Sequence, residues 1–158
     1  MLKIYTTIFF LIFLNVSAEV IQKLEIKGND RIGAETIKVY GEINIGEDYS
    51  SFDIDKILKN LYKTNFFKDI KISLSNGVLN ITVEEYAMIN FIDIQGEESS
   101  KIKKKVLETL KLQPKQSFIE NNLSQDINTI KKIYASIGFN FTDVEAKLER
   151  FENNRINL

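Results

Sequence analysis

The side chains best suited to chemistry in this chain are charged ones, because it contains no histidine and no cysteine. Histidine is the commonest general base near neutral pH, and a cysteine thiolate is a frequent nucleophile. The adjacent carboxylates Glu84 and Glu85 have the residue type for acid–base catalysis. They follow an alternating segment, however, and neighbouring residues on a strand point to opposite faces of a sheet. We therefore predict a solvated strand end here, and neither an enzyme nor a cofactor site.

Two further groups of charges could bind a partner. Four lysines between Lys101 and Lys105 form a basic cluster that could contact anionic head groups. We interpret the cluster as a solvated helix start, although cations there oppose the helix dipole by roughly a few tenths of a kcal/mol each. Arg31 and Glu35 are spaced to share one side of a first helical turn. They form either a surface ion pair, worth about 0–1 kcal/mol, or part of a functional turn.

The first 18 residues have the pattern of a secretory signal peptide. Lys3 is the only charge before an apolar run that ends near the small residues Val16 and Ala18. The run is too short for a membrane span, which needs roughly 20 apolar residues. We expect cleavage after Ala18, so that residues 1–18 are removed and the mature chain begins at Glu19.

The rest of the chain repeats itself with a period of about 70 residues. The motif at Leu24–Asn29 returns 68 positions later, and the motif at Leu61–Phe67 returns 72 positions later. This period exceeds the roughly 20–50 residues of a solenoid repeat, so each copy is interpreted as a small domain. We place the two modules at residues 19–87 and 88–158.

The first module is expected to begin with one strand and two helices. A strand over Val20–Lys27 precedes a helix over about residues 33–43. A second helix has apolar residues at helical spacing over Ile54–Tyr62. Asp53 or Ser51 is its expected N-cap.

Two alternating strands complete the first module. They cover Ile70–Ser75 and Leu79–Val83, and Asn76-Gly77 between them is a strong signal for a type I′ hairpin turn. If both helices cover one face, the third strand lies in the middle, parallel to the first and antiparallel to the second. The predicted fold is α+β: two tandem β-α-α-β-β modules, each a three-stranded mixed sheet of order 1-3-2 covered by two antiparallel helices.

The second module is expected to repeat this order. Pro114 replaces Gly46 as the breaker between the helices, and Asn153-Asn154 replaces the hairpin turn. The expected elements are a strand at Ile89–Gln95, a helix at about Ser100–Lys111, a helix opened by a capping box at Ser117–Glu120, a strand using Val144, Ala146 and Leu148, and a third strand begun at Ile156–Leu158. Because the third strand has only begun, we expect a truncated second module in the N-terminal part of a longer protein.

Several motifs resemble the POTRA domains of the BamA family of outer-membrane protein assembly factors, over residues 20–158. Departures at Asn65, Ala87 and Glu97 from the family's usual Gly, Pro and Asn affect local turns. The motifs are Ile26-x-Gly28-Asn29-x-Arg31-Ile32, Glu35-Thr36-Ile37, Leu61-Tyr62-x-Thr64-x-x-Phe67-x-Asp69-Ile70 and Asn76-Gly77-x-Leu79-x-Ile81-x-Val83-x-Glu85 for the first domain, and Ile89-x-x-Ile92-x-Ile94-x-Gly96 for the second.

The resemblance implies a non-enzymatic docking arm on the periplasmic face of the outer membrane. It implies unfolded outer-membrane proteins, periplasmic chaperones and accessory lipoproteins as partners, with membrane association through a C-terminal barrel missing from this sequence. It also implies that the turn containing Arg31 is a family feature. In the family, POTRA domains are thought to meet their partners by strand augmentation beside a helix groove.

The predicted edge strand is the main candidate for binding. Its unpaired backbone groups can accept an extended peptide as another strand, and it contains no proline to prevent this. The candidate protein-binding residues are Ile70, Lys71, Ile72, Ser73, Leu74 and Ser75, with Arg31 and Glu35 at the nearby turn.

Other functions fit less well. A two-partner secretion transporter usually has a proline-rich lead segment, which is absent here, and an FtsQ-like division protein keeps its membrane anchor and normally has one POTRA domain. A KH-like RNA-binding module would need a Gly-x-x-Gly loop. With a pI near 5.6, the chain also lacks the basic surface that nucleic acid requires, so we predict no nucleic-acid partner. An enzyme would need a nucleophile and base, whereas only scattered carboxylates are present.

Overall fold

The structure is a computed structural model that describes residues 18–158. The predicted signal features at Lys3 and Val16 lie outside the described residues. Residues 18–158 form two consecutive α+β modules, each with its own three-stranded sheet. None of the helices within this range is both long enough and apolar enough to cross a membrane.

The first module has the predicted sheet. β5 lies in the centre, parallel to β2 and antiparallel to β4, so the order is β2-β5-β4 and β4 forms an edge. The mixed sheet and its 1-3-2 order are therefore confirmed. The elements are β1 (Glu19–Val20), β2 (Lys23–Lys27), α1 (Ala34–Gly41), β3 (Asp48–Tyr49), α2 (Ser51–Lys63), β4 (Phe67–Ser75) and β5 (Val78–Glu85).

The first strand differs from the prediction, because it is split into β1 and β2. β1 pairs antiparallel with β3, with Glu19 opposite Tyr49, and together they form a separate two-stranded sheet. Ile21 lies between β1 and β2 and is fully buried. Its backbone N–H donates to Glu47 O and its carbonyl accepts from Gly46 N. The chain therefore passes from one sheet to the other at a buried residue.

The start of α2 is fixed by a reciprocal pair of hydrogen bonds. The N-cap is Ser50, one residue before the predicted Ser51 and three before Asp53. Asp53 Oδ2 accepts from the backbone N–H of Ser50 at 2.9 Å, and the Ser50 hydroxyl accepts from Asp53 N at 3.4 Å. The hydroxyl and backbone of Ser50 lower the pKa of the Asp53 carboxyl. Such a capping box satisfies two backbone donors that the helix itself leaves unpaired.

The core of the first module lies between α1, α2 and the inner face of the sheet. The apolar face of α2 and the inward side of β5 both contribute fully buried residues. The buried apolar residues are Ile21, Ile32, Ile37, Ile43, Tyr49, Ile57, Leu61, Phe67, Ile70, Leu79, Ile81 and Val83.

The second module keeps the order but has shorter strands. β8 lies between β6 and β7, parallel to β6 and antiparallel to β7. The predicted strand through Val144, Ala146 and Leu148 is wrong, because residues 142–148 are irregular and β7 starts at Glu149. The elements are β6 (Met88–Phe91), α3 (Ser100–Thr109), α4 (Glu120–Ser136), β7 (Glu149–Phe151) and β8 (Arg155–Asn157).

The predicted hairpin turn is present, although it is one residue longer than its counterpart. Phe151 pairs with Arg155, so three residues form the loop where two do in the first module. Asn153 and Asn154 have φ angles of 68° and 53°. Asparagine tolerates this left-handed region better than most residues, which suits both positions to the turn.

Two other predictions for the second module need correction. α4 has Ile119 as N-cap, with no side-chain cap bond, and Ser117 lies two residues before this cap, in an isolated antiparallel bridge with Met88. The predicted capping box is therefore wrong. Lys115, with φ 68°, rather than Pro114, is the counterpart of Gly46, since each donates its N–H at 2.7 Å to the buried isoleucine of its module.

Candidate protein-binding site

β4 is an edge strand of nine residues whose predicted orientation is confirmed. Ile70 is buried and Ile72 and Leu74 are half-buried, so these three side chains face the core. Lys71, Ser73 and Ser75 alternate with them and are exposed. The side chains on the outer face are therefore small or flexible and do little to obstruct an added strand.

The backbone of β4 offers donors on its open side. Ile70 N–H donates to the Tyr62 hydroxyl at 3.2 Å, so it points away from β5. In an antiparallel pair the N–H groups of successive residues alternate between the two sides. The N–H groups of Ile72 and Leu74 therefore point to the open side as well. These two residues, rather than Lys71 or Ser73, carry the donors that a further strand would use.

Tyr62 limits the length of this edge. It lies in the last turn of α2, with 40% of its surface exposed, and its hydroxyl donates to Asp69 Oδ1 at 3.5 Å. Since the same hydroxyl accepts from Ile70 N–H, the start of β4 is already partnered. Sequence reasoning placed Tyr62 only on the apolar helix face and missed its hydroxyl. Its position eight residues before the first alternating residue carried no signal of this contact.

Arg31 does not pair with Glu35 as their spacing predicted. Arg31 precedes α1, and its Nε atom lies 3.7 Å from Glu85 Oε2, while its Nη2 donates to the carbonyl of Tyr86 at 3.5 Å. Glu35 lies in the first turn of α1 and is exposed. The structure thus separates these two candidates, and Arg31 contacts the end of the sheet.

Glu85 is buried, so the predicted solvated strand end is wrong for this residue. Its carboxylate accepts the backbone N–H of Ile32 at 2.7 Å and that of Arg31 at 3.1 Å. Glu84 is exposed and pairs with Lys68 at 2.7 Å, as a solvated strand end would. The alternation of β5 explains the difference, because position 85 continues the inward series that starts at Leu79.

The turn that Glu85 holds lies directly against β5. Gly28 has a φ of 79°, and a Cβ atom there would be 2.1 Å from the carbonyl oxygen of Val83. Only glycine fits this close approach. The Gly28 turn and the Glu85 carboxylate together fix the Arg31–Ile32 backbone at the end of the sheet. These residues hold the turn in place and are not positioned as a free binding surface.

The connection between the modules is hydrogen bonded from both sides. Asn154 Nδ2 donates to the carbonyls of Glu85 at 3.1 Å and Tyr86 at 3.3 Å. Met88 N–H donates to Asn154 O at 2.9 Å, and Tyr86 N–H donates to Phe66 O at 2.9 Å. The linker is therefore hydrogen bonded to Phe66, the residue before β4, and to the hairpin turn of the second module.

The lysine cluster at the start of α3 is mostly solvated. Lys103 pairs with Asp93 at 3.2 Å and Lys104 with Glu108 at 3.8 Å. The hydrogen bond from Lys103 lowers the pKa of the Asp93 carboxyl. Lys101 and Lys105 are exposed. Across residues 18–158, no three acidic side chains are grouped so that they could hold a metal ion.

Known proteins resemble this chain in sequence along most of its length. Residues 87–158 match the POTRA family, described as surface antigen variable number repeat. The outer membrane protein assembly factor BamA of Neisseria meningitidis serogroup B is 28% identical over 140 residues, which cover 87% of this chain and 18% of that protein. BamA of Buchnera aphidicola subsp. Acyrthosiphon pisum is 27% identical over 118 residues, covering 72% of this chain and 19% of that protein. The chain thus spans about a fifth of these curated relatives.

Solved structures support the fold. The N-terminal domain of Omp85 from the thermophilic cyanobacterium Thermosynechococcus elongatus superimposes with a TM-score of 0.53 at 14% identity, covering 89% of this chain and 61% of that one. At this identity the likeness concerns the fold alone. The second module thus matches the POTRA family, most of the chain is similar in sequence to BamA proteins, and both modules lie within the part of the fold shared with the Omp85 N-terminal domain, which supports a BamA-like POTRA fragment.

Proposed function

We propose that this chain is the periplasmic docking arm of an outer-membrane protein assembly machinery. In this role, unfolded outer-membrane proteins bind it in extended form, and periplasmic chaperones and accessory lipoproteins dock nearby. The proposal draws on the assembly-factor relatives and on the two POTRA modules. Export by a cleavable signal peptide before Glu19 would place the modules in the periplasm.

The observation that carries this proposal is the open edge of β4. Between Lys71 and Ser75 the strand has backbone donors and acceptors on its outer side, flanked by exposed side chains that are small or flexible. An added strand would bind mainly through backbone hydrogen bonds and less through side chains, so many client sequences could bind. This breadth suits an arm that receives unrelated barrel proteins.

The expected affinity is low. Each backbone hydrogen bond contributes roughly 0.5–1.5 kcal/mol net, and an edge this short forms only a few of them. Association itself costs several kcal/mol, so the added strand would be held weakly and released readily. Weak, reversible binding is what a transfer site requires.

Arg31 is better assigned to the fold than to partner binding. Its guanidinium lies against Glu85 and the Tyr86 carbonyl, and only a minor part of its side chain, 20%, is exposed. Glu35 is exposed on the first turn of α1, away from these contacts, and remains available to a partner. The proposed site therefore centres on Ile72 and Leu74.

The test compares two substitutions at one position. Ile72→Pro removes the outward N–H and blocks the approach of a neighbouring strand, whereas Ile72→Ala shortens the same side chain and keeps the N–H. Affinity for an extended peptide from an outer-membrane barrel strand should fall at least about tenfold further in the Pro variant than in the Ala variant. Amide exchange must show that both variants remain folded. Equal affinities would exclude backbone docking on β4.

A further inference from the structure

The hairpin turn between β4 and β5 carries the only Asn-Gly pair in the sequence, Asn76-Gly77. Both residues have positive φ angles, 52° and 74°, as a type I′ turn requires. Asn76 is exposed, whereas Gly77 is buried. The turn thus places a solvated side-chain amide next to a buried backbone N–H.

An Asn-Gly pair can react with itself, because glycine has no side chain to hinder attack by its own nitrogen. The Gly77 nitrogen attacks the side-chain carbonyl carbon of Asn76. A bond forms between Gly77 N and Asn76 Cγ, the bond between Cγ and Nδ2 breaks, and ammonia leaves with the proton of the Gly77 N–H. Water then opens the resulting cyclic imide at either carbonyl and yields aspartate or isoaspartate. This reactivity is one reason why asparagine counts among the thermolabile residues.

A hydrogen bond to a carboxylate opposes this attack. Gly77 N–H donates to Glu19 Oε1. The nitrogen must release this proton to attack, and the adjacent negative charge disfavours the amide anion that would form. Because Gly77 is also buried, bases in solution have poor access to its N–H. Glu19 therefore holds the attacking atom in its unreactive form.

Further contacts fix the position of Gly77. Its carbonyl accepts the backbone N–H groups of Gln22 at 2.7 Å and Lys23 at 3.0 Å. The side chain of Gln22 covers the glycine, since a Cβ atom on Gly77 would lie 3.0 Å from Gln22 Cγ and Cδ. The attack requires the Asn76–Gly77 peptide to rotate relative to the Asn76 side chain, and a carbonyl with two partners resists that rotation. Residues 19–23 thus hold the turn, and we call them the N-terminal clamp.

The part of the N-terminal clamp that carries Glu19 is weakly attached. β1 has only two residues, and its ladder with β3 contains the pairs Glu19–Tyr49 and Val20–Asp48. Glu19 is half-buried and Val20 is exposed, whereas Ile21 after them is fully buried. Short edge segments with few buried contacts open locally at a much lower free energy than the whole domain. Glu19 therefore leaves the turn far more often than the module unfolds.

We propose that Asn76 is a deamidation site whose rate is controlled by the N-terminal clamp. The reaction is slow while Glu19 holds the Gly77 N–H, and it proceeds when β1 detaches. Conversion to aspartate places a second carboxylate near Glu19 and weakens the clamp by repulsion between like charges. Conversion to isoaspartate inserts a methylene into the backbone, which a two-residue type I′ turn does not accommodate. The inference does not rest on docking at β4, because the reaction needs no partner protein.

The experiment follows the reaction in the exported chain, residues 19–158, at mildly alkaline pH. Intact mass measures the replacement of an amide by a carboxyl group, and peptide mapping locates it and separates aspartate from isoaspartate. Glu19→Ala should raise the rate at Asn76 at least about tenfold, because the hydrogen bond to a charged group is lost. Glu19→Gln retains an acceptor without the charge and should give an intermediate rate. The wild type should react faster in urea than in its native state.

Two controls separate the N-terminal clamp from general effects of charge and turn type. Glu47→Ala removes a carboxylate that contacts Asn44 in the neighbouring loop, so the rate at Asn76 should stay unchanged. Asn153, in the corresponding turn of the second module, precedes Asn154 and not a glycine. It should therefore remain intact in every variant.

A second variant keeps the test valid if Glu19→Ala disturbs the fold. Gln22→Ala uncovers Gly77 but retains the bond to Glu19, so it should raise the rate at Asn76 by a smaller factor. Amide exchange at the buried residues Leu79 and Ile81 shows whether the sheet is intact in each variant. Exchange there should match that of the wild type.

Several results would overturn the inference. Equal rates at Asn76 in the wild type and in both clamp variants would show that the N-terminal clamp does not control the reaction. A faster reaction in the wild type than in Glu19→Ala would make Glu19 a base that promotes the attack. A native rate as high as the rate in urea would mean that the folded turn offers no protection. Modification of Asn153 in preference to Asn76 would assign the reactive turn to the second module.

Discussion

The two modules share an order of elements but differ in how much they bury. The cluster of the first module contains 12 buried apolar residues, while that of the second contains Ile89, Leu112, Phe118 and Ile156. The main difference is the central strand, which has eight residues in β5, whereas β8 has three and lies at the end of the sequence given. The helices do not explain it, because α4 is longer than α2. Burial of a helix face in this fold thus depends on the strand beneath it.

Each module has one buried carboxylate, and the two hold different parts of the fold in place. Glu85 and Asp126 each accept two successive backbone N–H groups, Glu85 from Arg31 and Ile32 and Asp126 from Lys111 and Leu112. Asp126 lies on α4 and is 3% exposed, the only buried residue of that helix. The first module thus uses its carboxylate to hold a turn on the sheet, and the second uses one to hold the loop between its helices.

The largest effect is expected at Glu85. Glu85→Ala leaves two backbone N–H groups and the Arg31 guanidinium without their carboxylate, and breaking such a buried pair typically costs about 3–5 kcal/mol. Urea unfolding should show this loss for the first module. Glu84→Ala is the matched control and should change stability by less than about 1 kcal/mol, because Glu84 forms an exposed pair. A small effect at Glu85 would mean that the turn holds without it.

The next largest effect is expected from shortening one apolar side chain to alanine on α2 and comparing it with the same change on α4. Leu61→Ala opens a cavity in a closed core and should cost about 2–5 kcal/mol. Ile130→Ala removes a side chain that is only half-buried, so less apolar surface is lost and it should cost less than about 1.5 kcal/mol. Amide exchange, which resolves the two modules, measures both values. Equal costs would contradict the difference in burial on which the comparison rests.

The smallest effect concerns pH and Tyr134. Burial, followed by the hydrogen bond to Glu97, raises the pKa of Tyr134 to about 12. Because the folded pKa lies above the unfolded value near 10, this contribution is complete below pH 10 and is lost as pH rises towards 12. Tyr134→Phe should lower the thermal midpoint slightly at pH 8 and reduce its further fall between pH 10 and 11.5. An unchanged pH dependence would exclude Tyr134 as its source.

The sequence predicted the topology because periodic patterns determine it. Alternation at Ile70–Leu74 and Leu79–Val83, with Asn76-Gly77 between them, was sufficient to place β5 in the centre and β4 at an edge. The orientation of the predicted binding strand is therefore confirmed. Because Ile70 N–H points away from β5 and N–H directions alternate along a strand, the N–H groups of Ile72 and Leu74 point the same way. Hydrophobic patterns with a period of 2 or 3.6 residues indicate which face of a strand or helix is buried, so these orientations could be predicted from the sequence.

The failures share a different cause. Whether Val144–Leu148 forms a strand depends on a neighbour in space, and an alternating pattern does not show whether that neighbour is present. The contacts of Arg31 with Glu85 and of Tyr62 with Ile70 connect residues that are distant in sequence or in different elements. Local spacing favoured Glu35 instead. Long-range pairing of polar side chains depends on how the elements pack, and the local spacing of residues in a sequence does not reveal that packing.

The hydrogen-bonded linker has a consequence for how the two modules unfold. Because Asn154 Nδ2 donates to the carbonyls of Glu85 and Tyr86, the hairpin turn of the second module supplies hydrogen bonds to the end of the first. Opening that turn would remove both bonds, each worth roughly 0.5–1.5 kcal/mol net. Part of the stability of the first module would therefore come from a side chain of the second.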